Sequence, residues 1–259
     1  MKFRDNADDL EASKAPLLDH LIELRTRLLR SVLAIALAFG VSFYFAKQIF
    51  AFLVQPLLHA GQEKIIYTQI FEAFFVEVKV ALFAALMISF PVIANQLWQF
   101  VAPGLYKQEK RAVLPFLFAT PVFFMAGAAL AYYVAVPVAL SFLLSFQGDV
   151  GGVTQEALPG VGNYLSFIMQ FMFGFGLAFL MPVMLMLLEA AGIVTRAQLV
   201  SARRYAIVAA FAIAAVLTPP DIGSQLLLAI PLCLLYELTL IATWFTEKRR
   251  KRVREAAEA

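Results

Sequence analysis

Two carboxylates stand where basic residues are expected. Glu23 lies in "HLIELRTRLL" and Glu109 lies in "LYKQEKR", and each stretch borders a long apolar run. Carboxylates that are partly removed from water, as at the edge of an apolar segment, bind guanidinium groups through two parallel hydrogen bonds. Each hydrogen bond to a charged group contributes about 1.5–3 kcal/mol. One interpretation is therefore a receptor for a cationic ligand, in which two carboxylates on neighbouring segments bind two adjacent arginines.

The same residues also permit a purely structural interpretation. Glu23 and Arg27 are four residues apart in the order that favours an ion pair on a helix, and Glu109 has Lys110 and Arg111 beside it. Such exposed pairs contribute only a few tenths of a kcal/mol. The spacing alone leaves both interpretations open.

Other chemistry finds little support in the sequence. His20 and Glu23 have the H-x-x-E spacing of some metal ligands, but His59 is the one other histidine of the chain. The single cysteine, Cys233, lies in an apolar segment, and no histidine lies in a predicted span to activate it. No nucleotide-binding G-x-x-x-x-G-K loop is present. We predict no metal, no cofactor, no enzymatic activity and no nucleic-acid partner.

The elements that position the two carboxylates are apolar helices. Of 259 residues, 62% are hydrophobic and 15% are charged, and the mean hydropathy is +0.80. A soluble domain is about half apolar and about one quarter charged, so the composition predicts an all-α membrane protein. A span needs about 20 apolar residues, and we predict six spans, at 28–45, 78–101, 112–147, 164–190, 205–217 and 222–244. The fifth, with 13 residues, reaches only about 20 Å, so its "TPPD" turn is expected below the membrane surface, or the membrane thins there.

The distribution of basic residues predicts the orientation. Of 21 lysines and arginines, 18 fall on one side of a six-span arrangement, in the segments 2–30, 107–111, 196–204 and 248–254. The other side holds Lys47 and Lys64, with Lys79 at the edge of the second span. Cytoplasmic segments carry an excess of Lys and Arg, so both termini are predicted to be cytoplasmic. We divide the chain into a flexible N-terminus (1–15), a transmembrane domain (16–246) and a charged tail (247–259).

Five stretches, in this order and spacing, resemble the TatC family. They are "HLIELRTRLL", "FVAPGLYKQEKR", "AYYVAVPVALSFLL", "YLSFIMQFMFGFGLAFLMPV" and "LTPPDIGSQLLLAIPLCLLYE", and the resemblance covers roughly residues 15 to 245. It implies six transmembrane helices in a concave, glove-like bundle in the bacterial inner membrane. It further implies the receptor component of the twin-arginine translocase, which binds the Arg-Arg motif of signal peptides and exports folded proteins with the proton-motive force.

The resemblance also assigns roles to individual residues. It implies that Glu23 and Glu109 contact the Arg-Arg pair and that Pro56 has a structural role. It implies small single-span partners, TatA-like and TatB-like proteins, that dock against the fifth and sixth spans, and it makes self-association an expectation. The residues implied to support signal-peptide binding are Arg25, Phe100, Pro103, Tyr106 and Lys107, and those implied near the docking contact are Gln225, Leu217, Thr218, Pro219 and Asp221.

One position departs from the family pattern. Many members have a glutamate or glutamine two residues before the proline of "GFGLAF-x-x-P", where this chain has Leu180. Gln170, Gln225 or a different partner pairing could take over the role of that side chain, and the sequence does not choose between them.

Two other classes of membrane protein were weighed against this interpretation. A small-molecule transporter predicts paired repeats and a charged site at mid-bilayer, whereas the acids of this chain lie mostly at the edges of the spans. An intramembrane protease needs a serine or metal site with histidines inside the spans, and neither histidine is so placed.

Overall fold

The computed structural model consists of helices and one small hairpin. It describes residues 2–62, 64–105, 114–190, 192–218 and 222–258, and it describes side chains for 21–62, 64–100, 116–149, 151–152, 155–190, 192–218, 222–245 and 247–248. In chain order the elements are α1 (Lys2–Tyr44), α2 (Ala46–His59), α3 (Glu72–Leu105), α4 (Leu114–Leu130), a π-helical turn (Ala131–Ala135), α5 (Val136–Leu144), β1 (Gly148–Val150), β2 (Val153–Gln155), α6 (Val161–Ala178), α7 (Met181–Ala190), α8 (Arg196–Ser201), α9 (Arg203–Leu217) and α10 (Ile222–Glu258).

Within these ranges, five helical segments are long and apolar enough to cross a membrane. They are Leu21–Tyr44, Glu72–Phe100, Phe116–Leu144, Val161–Ala190 and Ile222–Phe245. The prediction of an all-α, multi-pass membrane protein is thereby confirmed. The predicted fifth span corresponds to α9, whose 15 residues give about 22 Å at 1.5 Å per residue. The six-span count and the side that each terminus faces stay predictions.

Prolines divide two of the predicted spans. In the third, the π-helical turn ends two residues before Pro137, which has no N–H to donate to the carbonyl of Tyr133. A wider turn accommodates this missing bond. In the fourth, the helix is interrupted at Phe179 and Leu180, just before Pro182, and α7 resumes in the same apolar segment.

The segment between the third and fourth predicted spans contains a β-hairpin. β1 and β2 pair antiparallel with Asp149 opposite Thr154. Gly151 and Gly152 form the turn between them with φ values of 63° and 88°, a region that glycine enters without steric cost. The hairpin lies at the end of the molecule that also holds residues 60–62 and 64–71, since Gln62 bonds Gln147 and Ala157 on either side of it. We call this the external end, after the orientation predicted from charge, and the opposite end the basic end.

The core lies mainly between α3, α4, α6 and α10, and α4 approaches α6 closely. Phe124 of α4 is fully buried and stacks on Phe90 of α3 with ring centroids 3.6 Å apart. A Cβ on Gly127 would lie 2.5 Å from the carbonyl oxygen of Phe175, and one on Gly176 would lie 2.7 Å from the Phe124 ring. Glycine at position 127 therefore lets α4 approach the backbone of α6, and glycine at position 176 leaves room for the buried Phe124 ring.

In contrast, α1 stands at the edge of the bundle. It packs chiefly against α3 and leaves most of its apolar side chains exposed, Leu28 by 60% and Leu37 by 66%. In a membrane these side chains face lipid. The position of the Glu23 stretch is therefore set by the contact between α1 and α3.

Candidate functional site

The candidate site is built on the face of α1 that contacts α3, near the basic end. Glu23 and Arg27 are one helical turn apart on this face. The Arg27 Nε donates a hydrogen bond to Glu23 Oε1 at 2.9 Å, and Arg27 Nη2 donates to the same oxygen. The Arg27 side chain is 17% exposed and the Glu23 side chain is 35% exposed. The Glu23 side chain thus keeps about twice the exposed fraction of the Arg27 side chain, and the Arg27 guanidinium also contacts α3.

A polar pair on α3 completes this cluster. Arg27 Nη1 donates to Gln99 Oε1 at 2.7 Å, and Gln99 Nε2 donates to Asn95 Oδ1 at 2.7 Å. The four side chains form a chain of hydrogen bonds that runs from α1 to α3. We call Glu23, Arg27, Gln99 and Asn95 the carboxylate network.

The α3 segment that carries the network is fixed from behind by α4. Trp98 is 5% exposed, and its Nε1 donates to Thr120 Oγ1 at 2.7 Å. Thr120 in turn donates to the carbonyl of Phe116 at 2.7 Å. Since Trp98 is the neighbour of Gln99 in sequence, this buried contact fixes the backbone from which Gln99 reaches Arg27.

The structure places some of the predicted binding residues and leaves others outside its description. Arg25 is exposed on α1, and Phe100 is half-buried next to Gln99. Pro103 lies within α3, but its side chain is outside the described set. Tyr106, Lys107 and Glu109 fall in 106–113, which the structure does not describe. The predicted pairing of two carboxylates in one site therefore stays a prediction.

Three of the predicted docking residues, Leu217, Thr218 and Gln225, lie near the contact between α9 and α10. Gln225 is half-buried, and its Nε2 donates to the carbonyl of Phe211 on α9 at 3.5 Å. Thr218 is buried and donates to the carbonyl of Ala214 at 2.8 Å. Leu217 packs against α6, since a Cβ on Gly174 would come within 2.9 Å of its Cδ2. Pro219 and Asp221 lie outside the described residues.

Leu180 and Gln170 differ in their surroundings. Leu180 is half-buried at the interruption between α6 and α7 and packs against the main core. Gln170 is exposed on α6. The position that holds a polar group in many family members is therefore part of an apolar contact in this chain.

Pro56 lies inside α2 and is buried. Because proline has no N–H, the carbonyl of Phe52, four residues earlier, lacks its usual helical donor. The Tyr132 hydroxyl donates to this carbonyl at 2.7 Å, and the Tyr164 hydroxyl donates to the next one, that of Leu53, at 2.8 Å. Two other helical segments thus hold α2 at its proline.

At the external end, the carboxylate of Glu72 bonds two separate segments of the chain. Its Oε2 accepts from the backbone N–H groups of Thr68 and Gln69 and from the Thr68 hydroxyl. Its Oε1 accepts from the N–H of Gly162 at 2.7 Å. Nearby, the N–H of Val161 donates to the carbonyl of Ile66 at 2.9 Å. This carboxylate therefore connects the loop before α3 to the start of α6.

Sequence reasoning missed the polar partners of these groups. The i, i+4 spacing of Glu23 and Arg27 predicted their pairing, and the spacing of Asn95 and Gln99 carries the same signal on α3. No local pattern connects Arg27 to Gln99, which is 72 residues away. The lone proline of α2 was a signal that some other group must bond its unpaired carbonyl.

Comparisons with known proteins agree on one family. The family model "TatC: Sec-independent protein translocase protein (TatC)" matches residues 19–231. A "Sec-independent protein translocase protein TatC" from Magnetococcus marinus is 48% identical over 248 residues, which cover 95% of this chain and 90% of that protein. One from Aquifex aeolicus is 41% identical and is covered completely, over 93% of this chain. A crystal structure described as "Twin Arginine Translocase Receptor- TatC in DDM" superposes with a TM-score of 0.73 at 40% identity, over 86% of this chain and 99% of the other.

Proposed function

The chain belongs to the TatC family of Sec-independent protein translocase proteins, and on that premise we propose that it is the signal-peptide receptor of a twin-arginine translocase. It is a membrane component of a protein-transport system rather than an enzyme. In our proposal it binds the Arg-Arg motif of signal peptides with Glu23 and Glu109, and it exports folded proteins together with partner subunits. The site lies on the cytoplasmic side of the bacterial inner membrane, and the proton-motive force supplies the energy.

The observation that carries the proposal is the contact between Glu23 and a guanidinium group. Arg27 donates two hydrogen bonds to the Glu23 carboxylate, which keeps 35% of its side chain exposed. A carboxylate that holds an arginine of its own chain has the geometry to hold an arginine of another. Charge-assisted bonds of this kind are about twice as strong as neutral ones. Two such carboxylates, each with one arginine, would account for a doubled motif.

Crosslinking in membranes tests the assignment of the two acids. A signal peptide with a photoreactive group beside its Arg-Arg pair is mixed with membranes that contain the parent chain, Glu23→Ala or Glu109→Ala. We expect each substitution to lower the crosslinking yield about tenfold or more, because each removes charge-assisted bonds of about 1.5–3 kcal/mol.

The matched control is Glu247→Ala. It removes one carboxylate from the part of α10 that is predicted to be cytoplasmic, where Glu247 faces Arg196 at 4.0 Å. Its yield is expected to equal that of the parent. Undiminished yield in both Glu23→Ala and Glu109→Ala would refute the assignment.

We also propose that TatA-like and TatB-like single-span proteins dock at α9 and α10. The support is the short length of α9 and the half-buried amide of Gln225, which reaches the α9 backbone. A polar side chain in an apolar surrounding gains from a polar partner helix. Leu217 and Thr218 turn toward the core, so in this proposal they shape the end of α9, while Gln225 supplies the polar contact. Pro219 and Asp221, which lie outside the described residues, are included in the proposed docking contact, and self-association of the receptor is also part of the proposal.

A further inference from the structure

Arg27 bonds one oxygen, Oε1, of the carboxylate that the proposed function gives to the ligand. Its Nε and Nη2 both donate to Glu23 Oε1, and its Nη1 donates to Gln99 Oε1 at 2.7 Å. All three nitrogens of the guanidinium therefore have a partner in the cluster. At 17% exposure, this side chain lies between Glu23 and α3. It takes the place beside Glu23 that an arginine of a bound peptide would need.

We propose that Arg27 is a built-in competitor, which holds Glu23 in the unliganded receptor and is displaced by an arginine of the signal peptide. Gln99 keeps the released guanidinium on the α3 side. This inference rests on the proposed function, because it takes Glu23 as a carboxylate that binds the signal peptide. It adds to that function a residue that determines which ligands can bind.

An exchange of one guanidinium for another explains why one arginine is not enough. The bonds at Glu23 are of the same kind before and after the exchange, so the first ligand arginine contributes less net free energy than it would at a carboxylate with no arginine of its own. The carboxylate itself is never left unpaired in a partly desolvated site, which would cost free energy. A larger share of the net affinity must therefore come from the second arginine. A receptor of this design distinguishes two adjacent arginines from an isolated one.

The exchange also discriminates against lysine. An ammonium group is a point charge and does not reproduce the planar fork with which Arg27 bonds Glu23 and Gln99 together. A lysine that displaces Arg27 exchanges a stronger interaction for a weaker one. We therefore expect a Lys-Lys peptide to lose affinity at this carboxylate even though its charge is unchanged.

Gln99 is placed to receive the displaced side chain. It belongs to α3 rather than α1, and Asn95 fixes its amide through a 2.7 Å hydrogen bond. In this proposal the bond from Nη1 to Gln99 Oε1 is kept when Arg27 leaves Glu23, so the guanidinium retains one partner. A released cation without such a partner would bear the cost of an unsatisfied charged group.

The competing explanation is that Arg27 only ties α1 to α3. The two explanations predict opposite signs. If Arg27 is a tether, a weaker contact loosens Glu23 and ligand binding becomes weaker. If Arg27 is a competitor, a weaker contact makes Glu23 easier to occupy and ligand binding becomes tighter.

The decisive variant is Arg27→Lys, which keeps the charge and removes the fork. The full-length chain is placed in lipid nanodiscs, and the dissociation constant of a fluorescent Arg-Arg signal peptide is measured by anisotropy. We expect Arg27→Lys to bind about threefold tighter than the parent, and Arg27→Gln to bind about fivefold tighter or more, from the free energy of a partly exposed ion pair.

Arg30 supplies the matched controls, because it is an exposed arginine on the same helix. Arg30→Lys is expected to bind like the parent, and Arg30→Gln measures the general effect of the loss of one positive charge. The gain in Arg27→Gln must exceed that of Arg30→Gln. Binding by Arg27→Lys that equals or falls below the parent value would overturn the inference.

A third substitution separates this inference from the proposed function. If the Arg-Arg peptide binds Glu23→Gln as well as it binds the parent, the proposed function of Glu23 fails and the inference fails with it. If Glu23→Gln binds more weakly but Arg27→Lys does not bind more tightly, the receptor carboxylate stands and only the competitor is refuted.

Discussion

The hydrogen bond from Tyr132 to α2 compensates for Pro56, and this compensation can be measured. Tyr132→Phe removes the hydroxyl that donates to the carbonyl of Phe52 at 2.7 Å. Pro56→Ala supplies a backbone N–H four residues after Phe52, which is the donor that a regular helix would use. If the Tyr132 hydroxyl replaces that missing donor, the loss in free energy of unfolding caused by Tyr132→Phe must depend on the residue at position 56.

The structure sets the size of the effect. Tyr132 is 5% exposed, so water cannot readily replace the lost hydroxyl. A buried carbonyl left without a donor costs about 1–3 kcal/mol. In the Pro56→Ala background the new N–H is available, and the cost of Tyr132→Phe should fall below about 0.5 kcal/mol. The coupling between the two positions is then about 1–2 kcal/mol, within the range for residues that share one network.

Thermal unfolding of the parent, the two single variants and the double variant in mild detergent, followed by circular dichroism, measures this coupling. One kcal/mol corresponds to about 2–4 °C in a chain of this size, so Tyr132→Phe should lower the midpoint by about 5 °C in the parent and by little in Pro56→Ala. The control is Tyr164→Phe, because Tyr164 donates to Leu53, whose helical donor is the N–H of residue 57 in both backgrounds. Equal losses for Tyr132→Phe with proline or alanine at position 56 would refute the reasoning.

Two more predictions concern the external end and the docking surface. Glu72→Gln should lower the midpoint of thermal unfolding by about 5 °C, because the amide nitrogen cannot accept and at least one charge-assisted bond, such as that from Gly162, is lost. Glu156→Gln, at an exposed acid of the same end, should leave the midpoint within about 1 °C, and an equal loss in both variants would contradict the role of Glu72. A photoreactive residue at Gln225 should crosslink to a co-expressed TatA-like or TatB-like protein. The same residue at Ile241, which is 51% exposed near the other end of the α10 span, should not, and equal yields would contradict docking at Gln225.

Apolar length was enough to predict the class of the fold and the positions of its long helices. The stretch 112–147 was predicted as one span, and the structure has α4, a π-helical turn and α5 there. These features depend on local sequence, because backbone N–H and C=O groups inside a membrane find no water and form hydrogen bonds within their own helical segment. The hairpin at Gly148–Gln155 was missed because its strands have three residues each and carry no alternating apolar pattern.

In the candidate site, only contacts between residues close together in sequence could be predicted. The pairing of Glu23 with Arg27 followed from their separation by one helical turn. The contact of Arg27 with Gln99 depends on how α1 lies against α3, and nothing in either stretch specifies that geometry. The same holds for Tyr132, whose hydroxyl meets a carbonyl 80 residues away. Such contacts follow from packing rather than from local pattern.

The edge position of α1 has a consequence for how this chain can vary. Each residue along a helix turns the side-chain direction by about 100°, so one residue inserted between Ser31 and Tyr44 would rotate Glu23 away from Gln99 without a change in composition or hydropathy. Substitutions on the lipid-facing side of α1 do not change the direction in which Glu23 points relative to Gln99. The number of residues between the carboxylate and the end of α1 is therefore under stricter constraint than their identity, and a deletion there is more damaging than many replacements.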